Sequence, residues 1–397
     1  MRIFSLIFCT ALLSFTLSHT AFAQVEISKD AKQDPTLLFR GINGNTALSE
    51  QVKSDLLNCG WFNVIASGPA DLILSGSASG NVLKLDIANG AGVVMKTFSV
   101  SGQDTDKTAH TAVDAVLKEL FGIPGICRTK IVFAAETAPG RKEIYVCDFD
   151  GRNITPLTRN NTLCIDPVWH PGGKTVIYSY FGPSYTHLIE LDLASGKSRR
   201  LTQYPGINAG GAISPDGRYL ALILGMNNQV DLYIRETNGS QLTRITNDKA
   251  VEASPCWSPD GKKLCFVSDK SGRPRLYIVS PFERKQSPVL LTSTLGSERV
   301  APDWSKDNKI AYSAKLGGAY TVAVVDLNGD RPADSKVGLP ETAAIAGEGP
   351  SWAPDNRHVV VSDRGVIYIV DTRLGKVRRL VAGTTKVSGP DWSPLLY

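Results

Sequence analysis

The sequence predicts an α/β N-terminal domain followed by an all-β six-bladed β-propeller, closed by pairing of the C-terminal strand with the first blade. Three observations predict it. Helical periodicity occurs only before residue 126. From Lys130 onward, short β-rich runs alternate with Gly, Pro, Asn and Asp. One motif, Pro-x-Trp-x-Pro-Asp-Gly with variants, recurs at near-constant spacing to the end of the chain.

The chain opens on Arg2 and an apolar run from Ile3 to Leu17, followed by Ala21-Phe22-Ala23. A basic residue, a short apolar stretch and small residues before a cleavage point define a secretory signal peptide, expected over 1–23 with cleavage between Ala23 and Gln24. The run is shorter than the roughly 20 apolar residues a spanning helix needs.

Residues 24–126 read as a domain of alternating strand and helix. Val25-Glu26-Ile27 and Thr36–Phe39 look extended. Asn45 suits the cap of a helix running to Asn58, with Leu48, Val52, Leu56 and Leu57 at helical spacing and Gly60 as its stop. Three strand-like runs follow, at 71–76, 81–88 and 92–100. A second helix is expected from Thr105 to Leu120, buried through Ala109, Val113, Val116, Leu117 and Leu120. Gly122-Ile123-Pro124-Gly125 breaks it and marks the passage into a propeller over 127–397.

The repeat motif centres on Trp169, Ile213, Trp257, Trp304, Trp352 and Trp392, at steps of 44, 44, 47, 48 and 40 residues. That period suits a four-stranded blade. Pro-Asp-Gly builds a tight turn, because Pro sets φ, Asp bonds its own backbone and Gly accepts positive φ. The Trp is expected to wedge between blades. We designate the motif strand A and the three following runs B, C and D. The sixth motif has nothing after it, whereas 131–134, 143–146 and 154–158 are orphan B, C and D runs before the first motif. Together they complete one blade and close the ring, which removes exposed edges. Counting that blade as the first, the D strand of blade five is poorly marked between Asp326 and Glu341.

A net charge of +5 with Lys and Arg scattered among Asp and Glu argues against nucleic acid. Of seven cysteines, Cys9 lies in the signal sequence, and the six others show no C-x-x-C spacing. Cys256 and Cys265 flank the turn at Asp260-Gly261 as expected cross-strand neighbours, and two buried thiols are the preferred reading over a disulfide. There is no nucleophile elbow, phosphate loop or dinucleotide fingerprint. His110, His170, His187 and His358 stand apart, which points to structural roles. Asp216, Asp260, Asp307 and Asp355 repeat in the turns. No catalytic set, metal or cofactor is therefore expected. Function is expected at the loops preceding strand A, which meet at one mouth of the ring. The candidate partner-binding residues there are Asn208, Glu252, Ser254, Glu298, Arg299, Glu348 and Ser388.

The export signal, the α/β domain and the W-S-P-D-G propeller together resemble the periplasmic TolB family of the Tol–Pal system. Gly122–Gly125 followed by Arg128-Thr129-Lys130-Ile131, Asp148-Phe149-Asp150-Gly151, and Asp391-Trp392-Ser393-Pro394 at the C-terminus carry the resemblance. Ile207–Gly210 departs from the family's pattern. The resemblance implies a periplasmic, non-enzymatic monomer that touches membranes only through its partners. It implies that the propeller mouth binds the peptidoglycan-associated lipoprotein Pal. The segment Gln24, Val25, Glu26, Ile27 and Ser28 would bind the inner-membrane-anchored TolA. The system supports outer-membrane integrity and cell division. The rival readings are a propeller lyase or glycosidase and a propeller that senses small solutes.

Overall fold

The computed structural model describes residues 33–80, 82–283, 287–292, 295–328, 333–336, 347–381 and 386–396. The expected signal peptide, the cleavage site Ala23/Gln24 and the segment Gln24–Ser28 lie outside the described residues.

The N-terminal region forms a five-stranded mixed sheet with two helices on one face. In chain order its elements are β1 (Thr36–Asn43), α1 (Thr46–Asn58), β2 (Asn63–Ile65), β3 (Leu72–Ser79), β4 (Val82–Asn89), β5 (Val94–Ser101) and α2 (Thr105–Phe121). The sheet order is β2-β1-β3-β4-β5. β1 runs parallel to both its neighbours, and β3, β4 and β5 form an antiparallel meander. Asn45 caps α1 by accepting the Leu48 N–H at 3.0 Å, as its position in the sequence predicts. Asp104 caps α2, which ends at Gly122 in the left-handed conformation (φ 68°). The alternation of β4 turns Leu83, Leu85 and Ile87 onto the helices, and all three are buried. β2 escaped the sequence reading because three residues carry no readable period.

The propeller is a closed ring of six four-stranded sheets. Blade 1 takes Lys130–Ala138, Arg141–Asp148 and Thr155–Pro156 from its start and Val387–Trp392 from the end of the chain. The closing register pairs Trp392 with Ile131 and Val387 with Ala135, antiparallel. Strand A of blades 2 to 6 is Cys164–Trp169, Asn208–Ile213, Glu252–Trp257, Arg299–Trp304 and Glu348–Trp352. The poorly marked D strand of blade 5 is Ala333–Lys336.

Side chains of the motif act as the turn chemistry requires. Ser258 Oγ bonds Asp260 at 2.6 Å, and Asp260 accepts the Lys262 N–H at 3.1 Å. Ser214–Asp216 and Ser305–Asp307 repeat the pattern. Two of the tryptophans bridge blades: Trp257 Nε1 donates to the Ala212 carbonyl at 3.0 Å and Trp352 Nε1 to that of Asp303 at 3.1 Å, whereas Trp304 Nε1 donates to Asn308 of its own blade at 3.0 Å.

The two regions share one apolar core. A single cluster runs from Val52, Leu56 and Val113 of the helices to Ile131, Phe149, Val360 and Trp392 of blades 1 and 6. The N-terminal domain sits on the face that carries the A–B and C–D turns. Gln51 meets Arg152 at 2.8 Å and Trp61 Nε1 donates to Asp355 at 2.9 Å. The loops that lead into strand A therefore open on the opposite face, free of the N-terminal domain.

Candidate functional site

Each strand A carries one feature that the sequence analysis did not draw from the motif. Asp166, Gly210, Ser254, Ala301, Gly349 and Gly389, each three residues before the motif centre, have positive φ between 47° and 63°. In all six blades the A–B register shifts there. These are β-bulges, one extra residue on the inner strand. Five of the six are followed by Pro, which cannot donate to a ladder and is tolerated within a sheet chiefly at edges and bulges. That Pro was the signal from which the bulge could have been read. The bulged residues ring a central cavity of about 760 Å³, lined on the inner strands by residues such as Asp166, Ser254, Asp303 and Asp391.

The bulge reverses the facing of everything before it. An unbroken strand would turn the residue five positions before Trp to the face opposite that Trp. With one residue looped out, Glu252 pairs with Ser268 while Trp257 pairs with Leu264, an even offset, so both point the same way. Asn208, Glu252 and Arg299 occupy this position. They are 0%, 2% and 6% exposed. The expectation that these three side chains are presented to a partner is corrected. They lock the base of the rim instead. Asn208 Nδ2 donates to the Tyr204 carbonyl at 2.7 Å, Ser268 Oγ donates to Glu252 at 3.0 Å, and Arg299 Nε donates to the Leu295 carbonyl at 2.7 Å. Desolvation pushes the Glu252 carboxyl up to about 7.

The other four candidates reach the mouth. Ser254 is exposed, as the bulged residue of blade 4, and Glu348 is exposed in blade 6. Ser388 is half-buried and accepts from Lys142 Nζ at 2.7 Å. Glu298 is half-buried, paired with Lys315 at 2.8 Å and accepting from the Tyr320 hydroxyl at 2.7 Å. The hydrogen bond from Lys315, with that from Tyr320, holds its carboxyl below the usual range.

Beside this polar sector lies an apolar one that motif reading passed over. Phe181 and Tyr185, on the B–C hairpin of blade 2, are 37% and 47% exposed. Ile207 and Val251, on the loops entering strand A of blades 3 and 4, are 47% and 50% exposed. Isolated exposed apolar residues are ordinary, but four on neighbouring loops of one rim mark a contact surface.

The channel below is held by acids that bond the backbone. Asp391 accepts the Trp169 N–H at 2.7 Å and Ser351 Oγ–H at 2.8 Å, and Asp303 accepts the Trp352 N–H at 2.7 Å. Each links one blade to the next. Desolvation pushes Asp391 up to about 7 and raises Asp303. Their hydrogen bonds assign them to ring closure. His110 and His358 are buried against Asp55 and Asp355, each at 2.7 Å, in structural pairs.

Comparison with known proteins places this architecture. A family model described as "TolB beta propeller domain" matches residues 117–396. The chain belongs to the TolB propeller family. A curated relative from Francisella tularensis, named Tol-Pal system protein TolB, is 32% identical over 59% of this chain and 55% of its own length. The chain thus spans about half the length of the curated relatives it matches. The crystal structure of TolB from Acinetobacter baumannii has the same fold, with a TM-score of 0.80 over 91% of this chain and 97% of that one at 23% identity. A Kuenenia stuttgartiensis hydrazine synthase chain shares the propeller more distantly, with a TM-score of 0.55 over 67% of this chain and 47% of that one at 14% identity. The propeller alone therefore does not separate a TolB-type role from an enzymatic one.

Proposed function

We propose that this TolB-family protein is a periplasmic, non-enzymatic adaptor of the Tol–Pal system. In this reading the propeller mouth holds a peptidoglycan-associated lipoprotein, Pal, and the segment Gln24–Ser28 engages the inner-membrane-anchored TolA. The linkage would maintain outer-membrane integrity and support division. The observation that carries the reading is the rim. Exposed Phe181, Tyr185, Ile207 and Val251 stand beside Ser254, Glu298, Glu348 and Ser388, on the face turned away from the N-terminal domain. An apolar sector bordered by polar groups is the composition of a protein-binding surface. The N-terminal domain sits on the other face and so leaves the rim uncovered.

The test is capture of envelope proteins on the purified chain. Recovery of a peptidoglycan-bound lipoprotein is expected. Tyr185→Ala combined with Ile207→Ser should weaken that capture at least about tenfold while leaving thermal stability intact. Deleting residues 24–30 should abolish capture of the inner-membrane partner. Capture of neither protein, together with turnover of a sugar substrate, would replace the adaptor with an enzyme.

A further inference from the structure

Cys256 and Cys265 are two free, buried thiols in the structure, as the sequence predicts, and we propose that they are a redox-active pair able to close to a disulfide across blade 4. Strand A of that blade runs antiparallel to Leu264–Ser268, and the register sets Cys256 directly opposite Cys265. Directly opposed residues share one face of a sheet with Cβ atoms about 4.5–5.5 Å apart. A disulfide needs roughly 3.5–4.5 Å, so closure asks for a displacement of about 1 Å. The bulge at Ser254 interrupts the A–B ladder two residues before Cys256, so fewer ladder bonds oppose that displacement. Both side chains belong to one buried cluster between blades 4 and 5. Among the described residues no other two cysteines stand opposite each other in a strand register: Cys147 faces Ile131 and Cys164 faces Tyr180.

Both cysteines are buried, but Cys256 belongs to strand A, which lines the central cavity, and is 8% exposed, whereas Cys265 is 0% exposed. This divides the roles when the oxidant is a small disulfide, R–S–S–R, such as oxidised glutathione. Cys256 gives up its proton, and its Sγ attacks one sulfur of the oxidant and expels R–S⁻. Cys265 then gives up its proton, attacks Cys256 Sγ and expels the second R–S⁻. The protein loses two protons and two electrons; the oxidant takes them up as two R–SH. Burial raises the Cys256 thiol well above its ordinary range, which keeps the thiolate scarce in the finished ring. Oxidation is therefore fast while the hairpin about Asp260-Gly261 exists but the ring is still open, and slow after closure. A disulfide bonded there ties together the two innermost strands beneath Ser254 at the mouth.

The experiment compares full chain prepared from an oxidising secretory compartment with full chain made in a reducing cytosol. Each is unfolded in denaturant with excess iodoacetamide and mapped by mass spectrometry. In the exported sample the peptides bearing Cys256 and Cys265 should be joined and lighter by two hydrogens, with Cys59, Cys127, Cys147 and Cys164 alkylated. In the cytosolic sample these six should all be alkylated, as should Cys9 where the signal sequence is retained. Added oxidised glutathione should form the same bond at least about tenfold more slowly in the folded chain than in urea. Alkylation of both cysteines in the exported sample, or their linkage to any other cysteine, overturns the proposal. This readout needs no substitution, so it does not depend on whether Cys265→Ala folds.

Discussion

The position immediately before the motif aromatic decides how neighbouring blades are joined. In blades 5, 6 and 1 it is Asp303, Ser351 and Asp391, and each accepts the backbone N–H of the Trp in the next blade. In blades 2, 3 and 4 it is Val168, Ala212 and Cys256, which offer no carboxyl or hydroxyl oxygen. The polar half of the ring includes the joint where the propeller's first and last strands meet. Asp391 also sets a pH dependence. Its carboxyl sits near 7 in the folded protein, against about 3.9 in an unfolded chain. A raised value means the protonated form favours folding. That contribution is whole below about pH 4 and is lost as pH rises through 7. Asp391→Asn keeps an acceptor for the Trp169 N–H and cannot ionise. We expect it to flatten the fall in urea midpoint between pH 5 and pH 8, gaining on the order of 2 kcal/mol over the natural chain at the upper end. Parallel pH curves for the two proteins would refute this assignment. Glu252, also near 7, titrates in the same window and remains in both proteins.

At the scale of elements, the joint between the N-terminal domain and the ring rests on two buried carboxylates. Asp34 is met by Arg357 at 2.7 Å, Arg373 at 2.6 Å and Lys376 at 2.6 Å, and both arginines lie over the Trp61 ring. Removing one partner from a buried ion pair leaves uncompensated charge, so Asp34→Ala should cost about 3–5 kcal/mol in chemical denaturation. Asp114 on α2 accepts the Cys127 N–H and Arg128 Nε, each at 2.9 Å, and so fastens the linker to the helix. Gly125 passes so close that a Cβ there would lie 1.8 Å from Asp114 Oδ1 and 2.8 Å from its Cα. Gly125→Ala should destabilise by about 2 kcal/mol or more, measurable as a lowered melting temperature. Gly122–Gly125 was legible as a break in the sequence. The carboxylate that makes Gly125 necessary was not, because Asp114 lies well inside α2, beyond the reach of any local pattern around the break.

For the whole molecule, closure is the property on which the rest depends. The last strand supplies the inner edge of blade 1, and the shared core continues from it into the N-terminal domain. A chain ending at Lys386 would leave Lys130–Ala138 as a bare inner edge and remove buried Trp392. It should appear as aggregated or protease-sensitive protein when expressed beside the full chain. Recovery of a stable monomer would show that five blades and an open sixth suffice.

The count of blades, the closing strand and both helices were legible in the sequence because each rests on a period or on turn chemistry that neighbouring residues carry. The mouth was legible as a place, since every loop into strand A must open on one face. Which residues stand there was decided only by the tertiary structure. Asn208, Glu252 and Arg299 read as polar loop residues, yet the left-handed residue at each bulge adds one position to strand A and turns them inward. Phe181, Tyr185, Ile207 and Val251 carry no motif that would single them out, yet the stacking of blades 2 to 4 brings them to one rim. Facing along a strand alternates with every residue, so a single looped-out position reverses it. Adjacency between loops from different blades exists only once the ring has closed.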